Sequence, residues 1–156
     1  CAKAGLPREP FISMDSYSDA VTYKLVGAVS EVLDIPAEQV LEAFGRYWTL
    51  YTAEKGYGMM LEQAGSDMRE FLHNLDNLHT RVGMSMPRLR PPSFECVEND
   101  DGTLRLYYRS ERDGLTPMVV GLLKGLGERF GSPVEVEVVE RKSEGAACDV
   151  FLIRGA

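Results

Sequence analysis

The clearest hydrophobic pattern in the chain lies between Ser66 and Met86. Apolar residues recur there every three or four positions, which predicts an amphipathic helix. The apolar stripe consists of Met68, Phe71, Leu72, Leu75, Leu78, Val82 and Met86. His79 is the polar residue on this stripe, because at about 100° per residue it falls close to Leu72 around the helix. His73, the only other histidine, is predicted to face solvent.

A histidine on an apolar stripe has two interpretations. The commoner one is a core histidine whose ring nitrogens are satisfied by hydrogen bonds. The other is a ligand of a metal or cofactor, since neutral imidazole is the commonest metal ligand in proteins. The helix alone does not decide between them, so the choice depends on the rest of the chain.

The remaining patterns predict a helical first half, about residues 1–86, and a mixed second half, about residues 87–156. In the first half, helices are expected from near Tyr17 to Asp34, from Pro36 to about Thr52 and from Met59 to Gln63. Gly56-Tyr57-Gly58 is predicted to form a turn, and Gly65-Ser66 is predicted to cap the His79 helix.

Beyond Met86 the period changes from helical to alternating. Strands are expected at Phe94 to Glu98, Leu104 to Arg112, Val134 to Glu140 and Cys148 to Arg154, with a helix from about Leu115 to Phe130. Asn99-Asp100-Asp101-Gly102 is a strong hairpin signal between the first two strands. These elements predict one α+β domain over residues 1–156, with an antiparallel sheet in its second half.

Charge and cysteine usage exclude several classes of function. The 156 residues carry a formal net charge of −7, so they offer no basic patch for a nucleic-acid backbone or an anionic membrane surface. No apolar run approaches the roughly 20 residues of a membrane-spanning helix. The three cysteines show no CxxC or zinc-ligand spacing, which favours a reducing, cytosolic setting. Thiol chemistry at Cys96 or Cys148 has no support in the pattern.

A second informative stretch is LRLYYRSERDGL, from Leu104 to Leu115. Alternation along a strand places Tyr108, Ser110 and Arg112 on one face. Two hydroxyls and a guanidinium in a row suit an anionic oxygen ligand such as a carboxylate or phosphate. The alternative is a strand end that runs out into solvent, and the pattern alone does not decide.

Taken together, the two stretches favour one ligand. A helix presents one imidazole from an apolar face, and a strand presents a row of donors for carboxylates. Haem needs both, because its iron takes an axial histidine and its propionates take hydrogen-bond donors.

Here the sequence resembles the haem nitric oxide/oxygen-binding (H-NOX) domains, bacterial gas sensors related to the regulatory haem domain of soluble guanylate cyclase. The segment Tyr108-x-Ser110-x-Arg112 resembles the family's propionate-binding signature, and LDNLHTRVG resembles its proximal haem-ligand helix. RPPSFEC, VTYKLVGAVSEVL and FGRYW are also similar. The likeness covers nearly the whole chain.

The resemblance implies a haem b cofactor with His79 as its proximal iron ligand. Tyr108, Ser110 and Arg112 would hold the propionates. Pro92 corresponds to the proline that presses against the porphyrin, with Pro87 as the second candidate. On the distal side, the residues similar to pocket-lining ones are Phe44, Trp48, Met118 and Leu122.

Met118 carries the implied gas selectivity. Family members that bind dioxygen stably have a tyrosine hydroxyl at this position, whereas methionine donates no hydrogen bond. The resemblance therefore implies binding of nitric oxide and carbon monoxide, with dioxygen excluded. The indole N–H of Trp48 is an alternative donor whose direction the sequence does not give. A plainer interpretation is that both residues belong to the cores of their helices.

The function implied is a gas sensor that signals to a histidine kinase or a cyclase-type protein, and not an enzyme. One rival is a haem-free interaction module of the same fold. A peroxidase is the other, but it needs a distal His/Arg pair, and His73 shares the helix of His79. The family usually begins with an amphipathic helix upstream of the segment resembling AKAGL, so the fold is expected here without that first helix.

Overall fold

The structure is a computed structural model that describes residues 3–6, 18–86 and 89–156. Within these residues the elements are α1 (Asp19–Leu33), α2 (Ala37–Tyr47), a π-helix (Trp48–Thr52), α3 (Ala53–Glu62), α4 (Met68–Ser85), β1 (Ser93–Glu98), β2 (Leu104–Arg109), α5 (Thr116–Arg129), β3 (Glu135–Glu140), a 3-10 turn (Lys142–Glu144) and β4 (Asp149–Arg154). Tyr17, Pro87 and Cys1 lie outside the described residues.

The four strands form one antiparallel sheet in the order β1-β2-β4-β3. The alternating pattern of β2 is confirmed, since Leu104, Leu106 and Tyr108 are buried while the residues between them are more exposed. Tyr108 is paired with Phe94 on β1 and with Asp149 on β4. The predicted α+β architecture with an antiparallel sheet is confirmed.

A single hydrophobic core joins the sheet to α4 and α5. Its fully buried large side chains include Phe71, Leu72, Leu106, Leu123, Phe151 and Ile153. Burying a side chain of this size contributes about 1.5–3 kcal/mol relative to leaving it exposed. The N-terminal half of the apolar stripe on α4 therefore fixes that helix to the sheet.

Helices α2 and α5 cross with almost no space between their backbones. A Cβ atom on Gly45 would overlap the carbonyl oxygen of Met118, and one on Gly121 would overlap that of Glu42. Only glycine permits this approach. The crossing brings the segment that carries Phe44 and Trp48 beside the first turns of α5.

The helix predicted to run to about Thr52 is regular only to Tyr47, and a π-helix over Trp48–Thr52 continues it. Thr49 is buried in it, and its Oγ1 lies 3.3 Å from the carbonyl oxygens of both Gly45 and Leu122. The wider turn thus places a side-chain donor between α2 and α5. Such segments occur often at functional sites.

The prediction of a turn at Gly56-Tyr57-Gly58 is wrong in its extent, because α3 runs through this segment. The irregularity is confined to Tyr57, whose φ of −136° and ψ of 15° kink the helix. Glycine lowers helix propensity but does not prevent a helix when neighbouring packing supports it.

The cap of the His79 helix is Asp67 rather than Ser66. Asp67 Oδ1 accepts a hydrogen bond of 2.8 Å from the backbone N–H of Glu70. The Glu70 carboxylate in turn accepts from the backbone N–H and the hydroxyl of Ser66. This arrangement is close to a capping box, with acidic groups at the positive end of the helix.

Strand β2 ends at Arg109 rather than at Arg112 as predicted. Its neighbour β1 begins at Ser93, directly after Pro92, which has no N–H to extend the ladder. Ser110 and Arg112 therefore lie in the loop that leads into α5 and not on a strand face.

Among the described residues, no helix combines the length and the apolar character that crossing a bilayer requires.

Candidate functional site

The imidazole of His79 is held in one tautomer by its own helix. Its Nδ1 lies 2.9 Å from the carbonyl oxygen of Leu75. Because a carbonyl oxygen only accepts, Nδ1 carries the hydrogen and Nε2 keeps its lone pair. Metal-binding histidines commonly have this arrangement, in which the second ring nitrogen donates to a backbone carbonyl.

The surroundings of His79 favour the neutral ring. Burial lowers the pKa of the imidazole below its ordinary value, and this outweighs the opposing effects of the hydrogen bond to Leu75 and the charge of Asp76. The ring also packs against that of Phe94, with centroids 4.9 Å apart. At neutral pH the side chain is therefore in the form that binds a metal.

The lowered pKa predicts a pH-dependent stability of the cofactor-free chain. The unfolded chain takes up the proton at about pH 6.5, above the pKa of His79 in the folded chain, so acidification below that pH favours unfolding. We expect the free energy of unfolding in urea to fall between neutral pH and about pH 5.5. His79→Gln should reduce this fall, whereas His73→Gln, which removes the exposed imidazole of the same helix, should retain it. Equal pH slopes in the wild type and His79→Gln would contradict the assignment.

Phe94 connects the His79 ring to the sheet. Its backbone N–H donates to Asp76 Oδ1 over 2.9 Å, which ties the start of β1 to α4. Its ring lies between those of His79 and Tyr108, with a centroid distance of 5.4 Å to the latter. Sequence reasoning missed this role because it searched the strand for polar groups, although Phe94 lies within the RPPSFEC segment.

Tyr108 ends the buried face of β2 with a neutral hydroxyl. The residue is only 7% exposed. Burial raises the pKa of its phenol, and this outweighs the opposing effects of a hydrogen bond with Ser110 and the charge of Arg112. The side chain therefore keeps its proton and remains a donor.

Ser110 and Arg112 follow Tyr108 in the loop. Ser110 Oγ accepts from the backbone N–H of Arg112 over 3.1 Å. Arg112 reaches α1, where its Nε donates to Asp19 Oδ1 over 2.5 Å and its Nη2 to Thr22 Oγ1 over 3.3 Å. The guanidinium is thus oriented by an exposed carboxylate.

These three predicted donors line one pocket of about 380 Å³. Its lining residues are Tyr108, Ser110, Arg112, Asp113, Gly114, Thr116, Lys142, Ser143 and Asp149. The structure thus brings together the donor row that the sequence suggested, although two of its members lie in a loop. It also adds Lys142, Thr116 and Asp149, which alternation along β2 could not reveal.

The predicted distal residues lie on the two helices that cross at Gly45. Phe44 is 49% exposed, whereas Trp48, Met118 and Leu122 are half-buried. The Trp48 ring lies 6.5 Å from that of Tyr57. These four apolar side chains thus lie on segments that neighbour one another at the crossing of α2 and α5.

Pro92 lies half-buried directly before β1. Its neighbour Pro91 contacts α4, because Pro91 Cγ lies 3.4 Å from the place that a Cβ on Gly83 would occupy. Pro91 therefore lies beside α4 about one turn after His79, and Pro92 directly precedes β1.

The two thiols that the structure describes do not form a reactive centre. Burial raises the pKa of Cys96 to about 11, so it is protonated at neutral pH. Cys148 is buried. Within residues 3–6, 18–86 and 89–156, no three His, Cys, Asp or Glu side chains are grouped as a metal site.

The chemistry of this donor set fits haem. The neutral imidazole of His79 uses Nδ1 in a hydrogen bond and keeps the lone pair of Nε2, as an iron ligand requires. Hydroxyl and guanidinium donors line a pocket suited to carboxylates. The imidazole and the donors are joined through Phe94.

Comparison with known proteins gives a family match over most of the chain. The haem-NO-binding family model matches residues 1–138. Soluble guanylate cyclase gcy-35 of Caenorhabditis elegans is 37% identical over 131 residues, which are 82% of this chain and 19% of that protein. Guanylate cyclase soluble subunit beta-2 of Rattus norvegicus is 32% identical over 108 residues, or 69% and 16% respectively. The chain thus spans less than a fifth of the length of these relatives.

Solved structures share the fold. An H-NOX protein from S. oneidensis in the Fe(II)NO ligation state has a TM-score of 0.84 and 20% identity, covering 94% of this chain and 81% of that one. The Fe(II) unliganded H-NOX protein from K. algicida has a TM-score of 0.79 and 23% identity, covering 92% and 76%. At these identities the likeness shows the architecture alone.

Proposed function

Because the chain belongs to the haem-NO-binding (H-NOX) family of haem-based gas-sensing domains, we propose that it binds nitric oxide and carbon monoxide at haem b and excludes dioxygen. The observation that carries the proposal is the tautomer of His79. Its Nδ1 is hydrogen-bonded to the carbonyl oxygen of Leu75, which leaves Nε2 as the nitrogen of this ring that is available to iron.

Different residues would hold different parts of the cofactor. His79 would supply the axial nitrogen, and Tyr108, Ser110 and Arg112 would bind the propionates. Pro92 would contact the porphyrin face beside α4. When bound, haem supplies an iron that binds diatomic gases.

The distal helices support the proposed selectivity. Met118 offers a thioether, which is a weak acceptor and no donor. Phe44 and Leu122 are apolar as well. These side chains would provide no hydrogen bond at Met118 for a polar dioxygen ligand, whereas nitric oxide and carbon monoxide depend less on one.

Absorption spectra of the reconstituted ferrous protein test this proposal. We expect changes in the Soret band with nitric oxide and with carbon monoxide, and none with air beyond slow oxidation. Met118→Tyr should produce a dioxygen complex, while Met84→Tyr, at an exposed position of α4, should behave like the wild type. A stable dioxygen complex of the wild type would contradict the selectivity. Absence of a Soret band after reconstitution would support a haem-free module instead.

Helix α4 is suited to transmit the signal. Met68, Phe71, Leu72 and Leu75 are buried in its first half, whereas Leu78 and Val82 are half-buried and Met84 is exposed. The half that carries His79 is therefore held by fewer contacts, and a change at Nε2 would shift its position. We propose that a cytosolic histidine kinase or cyclase-type protein senses this shift.

The chain has the role of a sensor domain and not of a catalyst. It matches only the sensor part of the much longer cyclases. Catalysis would belong to a signalling domain in the same or a neighbouring protein.

A further inference from the structure

Lys142 lies in the same pocket as the three predicted donors, although it is far from them in the sequence. Its Nζ donates to Asp113 Oδ1 over 2.8 Å and to the carbonyl oxygen of Ser110 over 3.1 Å. The ammonium group therefore sits directly against the loop that carries Ser110. The family motif does not include this residue.

A buried carboxylate fixes the backbone that presents Lys142. Asp149 Oδ1 accepts from the backbone N–H of Lys142 over 2.7 Å, and Oδ2 accepts from the hydroxyl of Thr116 over 2.5 Å. Both oxygens of Asp149 thus have donors, and the residue is 6% exposed. The 3-10 turn that begins at Lys142 is anchored to β4 and to the start of α5.

Each cation of the pocket is paired with one exposed carboxylate. Arg112 is paired with Asp19, and Lys142 with Asp113. The side chains of both pairs are 37–79% exposed. Such surface pairs contribute little, about 0–1 kcal/mol. They orient the two cations but are weak enough to give way to a carboxylate placed inside the pocket.

We propose that Lys142 is a second carboxylate-binding cation, so that Arg112 and Lys142 each receive one of the two propionates of haem. The inference rests on the proposed haem-binding function. Two positive side chains then meet two negative groups in one pocket, with the hydroxyls of Tyr108 and Ser110 as additional donors. The contrasting role for Lys142 is a clamp that only holds the loop through Asp113.

Two ligands distinguish a carboxylate contact from a clamp. Haem has free propionates, and iron mesoporphyrin dimethyl ester has none. Affinity for each is measured by the Soret band and by quenching of Trp48, the only tryptophan. Lys142→Met is compared with Lys142→Arg, which keeps the charge, and with Asp113→Ala, which removes the ion pair of the clamp and leaves the Lys142 ammonium in place. Lys124→Met is the matched control, because Lys124 pairs with Glu42 on α2 and does not line the pocket.

We expect Lys142→Met to bind haem about tenfold more weakly, with its affinity for the dimethyl ester unchanged. Lys142→Arg should recover most of the haem affinity, and Lys124→Met should match the wild type. A loss of haem affinity in Asp113→Ala equal to that in Lys142→Met would show a clamp and overturn the proposal, as would equal weakening for both ligands or unchanged haem affinity in Lys142→Met. If the wild type itself binds no haem, the proposed sensor function is wrong. If the wild type and Lys142→Met bind haem equally well, only the proposal for Lys142 is wrong.

Discussion

Replacing His79 by glycine should abolish stable haem binding, or make it depend on added imidazole. The side chain supplies the nitrogen proposed as the only bond from the protein to iron. Loss of a residue that merely supports a metal ligand costs about 10–100-fold in metal affinity, so loss of the ligand itself should cost at least about 100-fold. Haem titration followed at the Soret band measures the change.

Imidazole and His73 provide the controls for this variant. Added imidazole fits the space left by the side chain and should restore a ferrous spectrum close to that of the wild type. His73→Gly changes the exposed histidine of the same helix and has the same effect on helix propensity, so it should keep haem. Wild-type haem affinity in His79→Gly would refute the ligand assignment.

Replacing Arg112 by alanine should speed haem loss and weaken haem affinity about tenfold, because a hydrogen bond to a charged group contributes about 1.5–3 kcal/mol. Breaking the exposed pair with Asp19 should cost the fold under about 1 kcal/mol. The effect on haem should therefore exceed the effect on stability. Transfer of haem to an excess of apomyoglobin measures the dissociation rate.

Arg109→Ala is the matched control for Arg112. Arg109 lies on the opposite face of β2, where it pairs with Glu95 over 2.9 Å and stacks over the ring of Tyr107. It does not line the pocket. Its loss removes the same charge from the chain and should leave haem dissociation near the wild-type rate. If both variants release haem equally fast, the effect of Arg112 is one of general charge and not of propionate binding.

The sequence predicted the parts of the site that depend on local periodicity. The apolar stripe of α4 placed His79 beside Leu72 and pointed His73 away, and the structure finds His79 half-buried and His73 exposed. Alternation placed Tyr108 on the buried face of β2, which the structure confirms. Both predictions rest on the fixed periods of helix and strand.

The alternating pattern did not predict where β2 ends. Alternation predicted that Ser110 and Arg112 continue the strand. The strand ends at Arg109, because Pro92 prevents the neighbouring strand from extending the ladder. The three donors nevertheless meet, since the loop turns them around one pocket. A motif can therefore predict a shared role when the backbone geometry assigned to it is wrong.

Other parts of the site depend on contacts between distant segments, which periodicity does not encode. Phe94 reaches His79 because Asp76 binds its backbone N–H. Lys142 reaches the pocket because Asp149, on a strand paired with β2, holds its backbone. The tautomer of His79 likewise follows from the position of a carbonyl oxygen and not from residue type.

The proposed bond between His79 and iron is tested most directly by resonance Raman spectroscopy of the ferrous, reconstituted protein. The chain has only two histidines, so His73→Gln leaves His79 as the single imidazole. We predict an iron–histidine stretching band in this variant that shifts when histidine is labelled with 15N, and that is absent from His79→Gly until imidazole is added. A band that persists unchanged in His79→Gly without imidazole, or that fails to shift on labelling, would contradict the account.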